Sequence, residues 1–117
     1  MKIEECYLAL GGDYAAVLGR LRSEKLIERF FLKFPEDKSF AQLETALPAG
    51  DGETAFRAAH TLKGVCQNLG FDRLGASAAA LTEALRGGTI SPEAAELFAV
   101  VKEDYRQTLD AISNYEA

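Results

Sequence analysis

Hydrophobic residues recur every three or four positions through most of the chain, which is the spacing of amphipathic helices. No segment alternates hydrophobic and polar residues as a half-buried strand would. Glycine and proline residues interrupt the pattern and mark the connections. The predicted helices cover Ile3 to Leu10, Tyr14 to Leu21, Ser23 to Phe34, Phe40 to Leu47, Asp51 to Leu69, a stretch from Phe71-Asp72 to Leu85, and a last one that Ser91-Pro92-Glu93 begins. The chain is therefore predicted to be all-α.

Short connections make helices that follow one another antiparallel. The predicted architecture is an antiparallel four-helix bundle with additional short N-terminal helices, in a single domain over residues 1–117. Residues 1–22 are expected to form N-terminal cap helices, and residues 51–70 the helix that carries the candidate site. The pattern holds one long helix too many for four, so either the helix from Ser23 or the N-terminal pair is expected to act as a packing cap.

The helix over residues 51–70 carries His60, the only histidine in the chain. Asp51 or Gly52 is its expected N-cap, and Gly70 its C-terminal stop. On a helical wheel of about 100° per residue, an apolar arc lies on the side opposite His60. That arc contains Ala55, Ala58, Leu62, Val65, Cys66 and Leu69. We therefore predict that His60 points away from the core.

The polar arc around His60 has the composition of a site for an anionic group. It contains Glu53, Phe56, Arg57, Lys63, Gly64 and Gln67. Gly64 lies one turn after His60, and a glycine within a helix costs about 1 kcal/mol relative to alanine. Access of a bulky group to the imidazole would explain that cost. Lys63 and Arg57 lie about 60° to either side of His60, where their side chains can reach an anion attached to the ring.

The stretch from Ala58 to Phe71 contains the motif His60-x-Leu62-Lys63-Gly64, continued by Asn68-x-Gly70. It resembles the histidine-containing phosphotransfer (HPt) domain of bacterial and eukaryotic phosphorelays. The predicted helices before and after it extend the resemblance over most of the chain. The resemblance implies that His60 accepts and donates a phosphoryl group, that Lys63 is the cation near the phosphoryl oxygens, and that Gly64 is the small residue giving access.

Two positions depart from the family's pattern. The family often has small residues just after the glycine, where this chain has Val65 and Cys66. Many members also have a glutamine on the next helix that bonds the imidazole, and the aligned position here is Thr82. The sequence therefore leaves open what orients the ring.

The resemblance implies a phosphoryl carrier of a two-component phosphorelay, which exchanges the group with an aspartate of a receiver domain. The implied partners are a response-regulator receiver domain, a hybrid histidine kinase, or both. No Gly-rich phosphate loop and no ATP-binding lobe is recognisable in the sequence, so we predict a carrier and not an enzyme, with no cofactor and no metal site. The alternative is a helical adaptor that binds a receiver or kinase domain without carrying phosphate; the joint presence of His60, Lys63 and Gly64 favours the carrier.

A docked partner would cover the face around His60, and Phe56, Arg57 and Gln67 are the predicted binding residues there. Phe56 is expected to contact the partner, with packing against an adjacent helix as the alternative. Arg57 is a candidate contact to the anion, and Gln67 a candidate contact to the imidazole or the partner. The phenylalanines at positions 30, 31 and 34 are expected in the core, unless part of their stripe joins the docking surface.

Composition limits the remaining classes. The chain has 117 residues, of which 48% are hydrophobic and 26% charged, enough for one core in one domain. A net charge of -5 argues against nucleic-acid binding, and a single histidine argues against a di-metal bundle. No apolar run of about 18 residues and no apolar leader stretch is present. We expect a cytoplasmic monomer with its two cysteines, Cys6 and Cys66, reduced.

Overall fold

The computed structural model describes residues 1–116, so the last residue of the predicted domain, Ala117, lies outside the described residues. It contains helices α1 (Ile3–Leu10), α2 (Tyr14–Leu21), α3 (Glu24–Lys33), a 3-10 helix (Phe34–Glu36), α4 (Ser39–Ala46), α5 (Gly52–Leu69), α6 (Asp72–Ala84) and α7 (Glu93–Ser113). No strand occurs within residues 1–116. The prediction of an all-α fold is confirmed.

The last four helices, α4 to α7, form the bundle. Helix α5 packs between α4 and α6, and α6 packs against α7. Helices α4 and α7 meet through Phe40, whose ring stacks on Tyr105 with a centroid distance of 4.0 Å and on Phe98 with one of 5.6 Å. Because short connections join these helices, consecutive ones run antiparallel, as predicted.

The first three helices cover the bundle as a cap held by aromatic packing. Tyr7 of α1 lies 5.3 Å from Tyr14 of α2, 5.6 Å from Phe31 of α3 and 5.5 Å from Phe71, just before α6, between ring centroids. Helix α1 also packs along α7. The sequence left two candidates for the cap, and the structure places α3 and the N-terminal pair in it together.

Side-chain caps start several helices where the sequence predicts them. The carboxylate of Asp13 accepts a hydrogen bond from the Ala16 amide at 3.0 Å, and the hydroxyl of Ser23 accepts one from the Leu26 amide at 3.2 Å. Each bond satisfies an amide of the first turn that has no intrahelical partner. These helices therefore begin for local reasons.

The predicted start of the last helix is wrong in detail. The run Ser91-Pro92-Glu93 predicts Ser91 as the N-cap and Pro92 as the first helical residue, but the helix begins at Glu93, with Pro92 as its N-cap residue and without a side-chain cap. The Ala94 amide instead donates to the Ser91 carbonyl at 3.0 Å. Because this bond spans only three residues, the chain makes a tight turn at Ser91 before the regular helix starts.

The expectation that all three phenylalanines of the α3 stripe lie in the core is also corrected. Phe31 and Phe34 are buried, whereas the Phe30 side chain is 36% exposed. Helix α3 is short and packs within the cap, so only a narrow face of it is covered. Phe30 lines an open groove beside α5 together with Val65 and Asn68.

Candidate functional site

Helix α5 carries every predicted site residue, and its ends lie where the sequence places them. The Asp51 carboxylate accepts the Thr54 amide at 3.1 Å, so Asp51 is the N-cap. Gly70 ends the helix with φ of 71°, a backbone angle that glycine adopts without strain. The Gly70 carbonyl then accepts the Asp13 amide at 2.9 Å, which ties this end of α5 to the cap.

Two cap side chains hold the last carbonyls of α5. The guanidinium of Arg20 donates to the carbonyls of Gln67 at 2.9 Å and Asn68 at 3.0 Å, and the buried Tyr7 hydroxyl donates to the carbonyl of Leu69 at 2.7 Å. Carbonyls in the last turn of a helix lack intrahelical partners, so these bonds satisfy them. Sequence reasoning missed Arg20 and Tyr7, because the residues they bond are 47 or more positions away in the chain.

The inner face of α5 is packed tightly against the bundle. The buried residues on α5 are Gly52, Ala55, Ala58, Ala59, Leu62, Cys66 and Leu69. Val65, predicted on the buried arc, is only half-buried because it borders the open groove beside Phe30. Ala59 is buried as well, although the wheel did not place it on the apolar arc. The close approach of α6 explains this tight packing: a side chain added at Gly75 would place its Cβ 3.4 Å from Cys66.

The outer face presents His60 to solvent, as predicted. Within residues 1–116 the imidazole makes no hydrogen bond, and its aromatic neighbour is Phe56. The two ring centroids lie 6.1 Å apart and the ring planes differ by 12°, an offset-stacked arrangement. Phe56 is half-buried and packs against the core. Phe56 therefore packs against the core, which was one of the two alternatives, and its contact with a partner stays a prediction.

Two residues beyond α5 extend this arrangement, and sequence reasoning missed both. The guanidinium carbon of Arg86 lies over the Phe56 ring, 5.5 Å from its centroid, a cation–π geometry. Glu83 accepts two hydrogen bonds from Arg86, at 2.7 Å and 3.1 Å. These bonds lower the pKa of the Glu83 carboxyl and raise the pKa of the Arg86 guanidinium. Because Glu83 and Arg86 lie far from His60 in the chain, no local sequence pattern predicted their place beside Phe56.

The cations predicted beside His60 have different surroundings. Arg57 forms an exposed ion pair with Glu53 at 3.5 Å, one helical turn earlier. Exposed pairs of this kind are weak, so Arg57 can exchange its partner readily. Lys63 is half-buried, and its charge helps to lower the Glu83 pKa, after the larger effect of Arg86. Lys63 therefore lies close enough to Glu83 for their charges to interact.

Gly64 has open space around it. A Cβ built at this position would meet no atom within 4 Å. Packing therefore does not require a glycine here, in spite of its helical cost. Gln67, one turn further on, is exposed and lines a shallow groove with Gly75, Ala76 and Ala79. The small residues make the surface beside Gln67 shallow.

Thr82, at the position aligned with the family's glutamine, is fully buried. Its hydroxyl donates to the Ala78 carbonyl within the same helix at 2.7 Å. This bond directs the hydroxyl proton of Thr82 toward the core side of α6. Thr82 therefore does not hold the exposed imidazole.

Both cysteines are buried free thiols. Burial raises the pKa of the Cys66 thiol well above its ordinary value, and also raises that of Cys6. Because the thiolate is the reactive form, neither cysteine has the character of a nucleophile. Among the helices of residues 1–116, none combines the length and the hydropathy needed to cross a membrane.

The fold and the site together define a helical bundle that displays a single histidine, beside a cation and an open glycine, on an accessible helix face. A family model described as Hpt domain matches residues 25–115, and the chain belongs to this family. The membership assigns it a phosphotransfer-type role in two-component signalling. No curated protein and no solved structure matched the chain.

Proposed function

We propose that the protein is a phosphoryl carrier of a phosphorelay and that His60 is the residue modified. The observation that supports this most directly is the position of His60: it is exposed at the centre of an unobstructed face of α5, with open space at Gly64 one turn away. His60 is the only histidine in the chain, so α5 offers no other imidazole. The relevant partners are a receiver domain, a histidine kinase, or both.

The transfer is a displacement at phosphorus. A lone pair on one imidazole nitrogen of His60 attacks the phosphorus of an aspartyl phosphate on the partner. The P–N bond forms as the P–O bond breaks, and the bonding electrons leave with the aspartate carboxylate. Delivery to a second receiver reverses these steps, and the imidazole returns to its starting form. Such transfers depend chiefly on positioning and charge neutralisation.

The neighbouring residues supply that charge neutralisation and access. Lys63 is the cation for the phosphoryl oxygens, and Arg57 joins it by leaving its weak pair with Glu53. Gly64 leaves room for the group on the ring. We assign Phe56 and Gln67 to the edge of the surface that the partner covers. In this proposal residues 1–117 act as one domain and a cytoplasmic monomer, whose His60 face stays open.

The protein has no catalytic cycle of its own in this proposal. The receiver contributes the groups and the metal ion that activate its aspartate, while this chain contributes a positioned nucleophile. The alternative, an adaptor that binds a receiver or kinase without carrying phosphate, uses the same face. The two alternatives differ in whether His60 is phosphorylated: it is in the carrier and is not in the adaptor.

Phosphorus NMR after exposure to phosphoramidate, and separately to a phosphorylated receiver, tests the proposal. We expect an acid-labile phosphohistidine signal in the parent protein and none in His60→Gln. The His60→Gln substitution is on the surface, so an unchanged circular dichroism spectrum and melting temperature serve as the folding control.

A parent protein that stays unmodified with both donors would overturn the carrier proposal. If it still bound a receiver, with an affinity that His60→Gln did not change, the adaptor would replace the carrier. A signal that persisted in His60→Gln would assign the modification to another residue.

A further inference from the structure

The outer face of α5 leaves one mechanistic requirement unmet by hydrogen bonding. A nucleophile must be held in a narrow range of orientations for efficient transfer. The exposed His60 imidazole makes no hydrogen bond within residues 1–116, and the buried Thr82 hydroxyl is bonded to Ala78. No hydrogen bond from residues 1–116 therefore limits rotation of the ring.

The Phe56 ring is placed to do so. It lies nearly parallel to the imidazole, at 12° and a centroid distance of 6.1 Å. Phe56 is half-buried and packed against the core, so its own rotation is limited. A fixed aromatic ring one turn before His60 restricts the imidazole from that side.

Arg86 and Glu83 support Phe56 from outside the helix. Arg86 covers the Phe56 ring at 5.5 Å, and its guanidinium is held in that place by the two hydrogen bonds that it donates to the Glu83 carboxylate. A free arginine side chain would lose considerable rotamer entropy on stacking. The Glu83 pairing lowers that cost, because it already orders the planar guanidinium.

We propose that the stack of the Arg86 guanidinium on the Phe56 ring, held by Glu83, positions the His60 imidazole for phosphoryl transfer. Phe56 contacts the imidazole, whereas Arg86 and Glu83 are positioning residues that act through Phe56. The inference rests on the proposed function for its consequence in transfer. Its structural part, the orientation of the ring, is measurable in the unmodified protein.

Proton NMR of the unphosphorylated protein tests the structural part. A stacked phenylalanine shifts the imidazole ring protons of His60 through its ring current. We expect Phe56→Leu to abolish this shift, and Arg86→Ala and Glu83→Gln each to reduce it. The matched controls are Arg106→Ala and Glu103→Gln, which break an equally exposed bidentate pair on α7. His60 proton shifts that respond no more to the stack variants than to the controls would overturn the proposal.

The rate of phosphorylation by phosphoramidate tests the functional part and separates positioning from simple charge attraction. Phosphoramidate is an anion, so removing the negative charge of Glu83 would speed its reaction if charge alone mattered. Positioning predicts the opposite sign: Glu83→Gln slows the reaction roughly twofold to fivefold, the size of one exposed cation–π contact. Phe56→Leu, which changes no charge, slows it about tenfold.

A faster Glu83→Gln variant, or a Phe56→Leu variant that reacts at the parent rate while still folded, would overturn the positioning role. A parent protein that phosphoramidate and a phosphorylated receiver both leave unmodified would instead overturn the carrier proposal. In that event the His60 proton shifts still decide whether the stack orients the ring, so the two failures are distinguishable.

Discussion

The inner and outer faces of α5 use glycine for opposite reasons. At Gly52, a side chain would run into the backbone carbonyl of Gly88, in the connection between α6 and α7. At Gly64, a side chain would meet nothing within 4 Å. The first glycine is required by packing within the protein, and the second is free of any such requirement. Because no contact within the protein requires Gly64, its cost in helix stability relative to alanine supports the proposal that a group approaches His60 from outside.

Among the variants that test this comparison, Gly52→Ala is expected to change the free energy of unfolding most. The added methyl group collides with a backbone carbonyl, which cannot move aside as a side chain can. Overpacking of this kind costs about 1–3 kcal/mol, more than the helix gains from alanine. Chemical denaturation measures the loss. Gly19→Ala is the control, since Gly19 also lies in a helix but its added Cβ would meet nothing. Equal free energies of unfolding for Gly52→Ala and Gly19→Ala would contradict the close approach of the Gly88 carbonyl to Gly52.

Tyr7→Phe should have the next largest effect, because it loosens the packed side of α5. The change removes the hydroxyl that donates to the Leu69 carbonyl and leaves that buried acceptor without its partner. Such a loss costs about 1–2 kcal/mol. Urea unfolding of Tyr7→Phe and of Tyr14→Phe separates the bond from the ring. Tyr14 belongs to the same aromatic cluster, but its hydroxyl makes no bond to α5. If Tyr7→Phe and Tyr14→Phe lost equal amounts of stability, the hydrogen bond from Tyr7 to Leu69 would make no contribution of its own to the free energy of unfolding.

Gly64→Ala should raise stability and lower function at the same time. Alanine is the better helix former, by up to about 1 kcal/mol, and the new methyl group has open space in the free protein. The same methyl group narrows the approach to His60, so phosphorylation by a receiver should slow at least several-fold. Thermal unfolding and phosphotransfer assays check the two effects.

Gly19→Ala is again the control for Gly64→Ala, because it should stabilise the protein without changing phosphotransfer. A Gly64→Ala protein that transfers the phosphoryl group at the parent rate would contradict the proposed difference between Gly52 and Gly64. The glycine would then have no role in access.

The last prediction concerns Cys66 and pH. Burial raises the pKa of its thiol in the folded protein, while the thiol of the unfolded chain ionises near about 8.5. Above that pH the native state binds more protons than the unfolded state, so stability should fall as pH rises. Denaturation at pH 7 and 9.5 measures the slope, which should be shallower in Cys66→Ala. Rapid reaction of Cys66 with a thiol reagent in the native protein would contradict the burial.

Local chemistry allowed the sequence to predict the helices and the direction of His60. Asp13, Ser23 and Asp51 bond amides three residues ahead, and Gly70 takes a backbone angle that suits few other residues. The apolar arc of α5 likewise depends only on helical periodicity. Features of this kind are readable because their cause lies within one helix.

The errors and omissions arose where packing between distant segments decides. Phe30 has the same hydrophobicity as Phe31, yet only the three-dimensional position of α3 leaves it exposed. Whether α3 or the N-terminal pair caps the bundle depended on aromatic contacts around Tyr7 that no local pattern encodes.

The sequence by itself therefore determined the helical architecture and the presentation of His60 beside Lys63 and Gly64, because the period of a helix sets which residues share a face. Only the tertiary structure decided which residues of other helices reach α5. It brought Arg86 and Glu83 to Phe56 by packing α6 against α5, and Arg20 and Tyr7 to the end of α5 by seating the cap there. Contacts between residues far apart in the chain form only when packing brings their helices together.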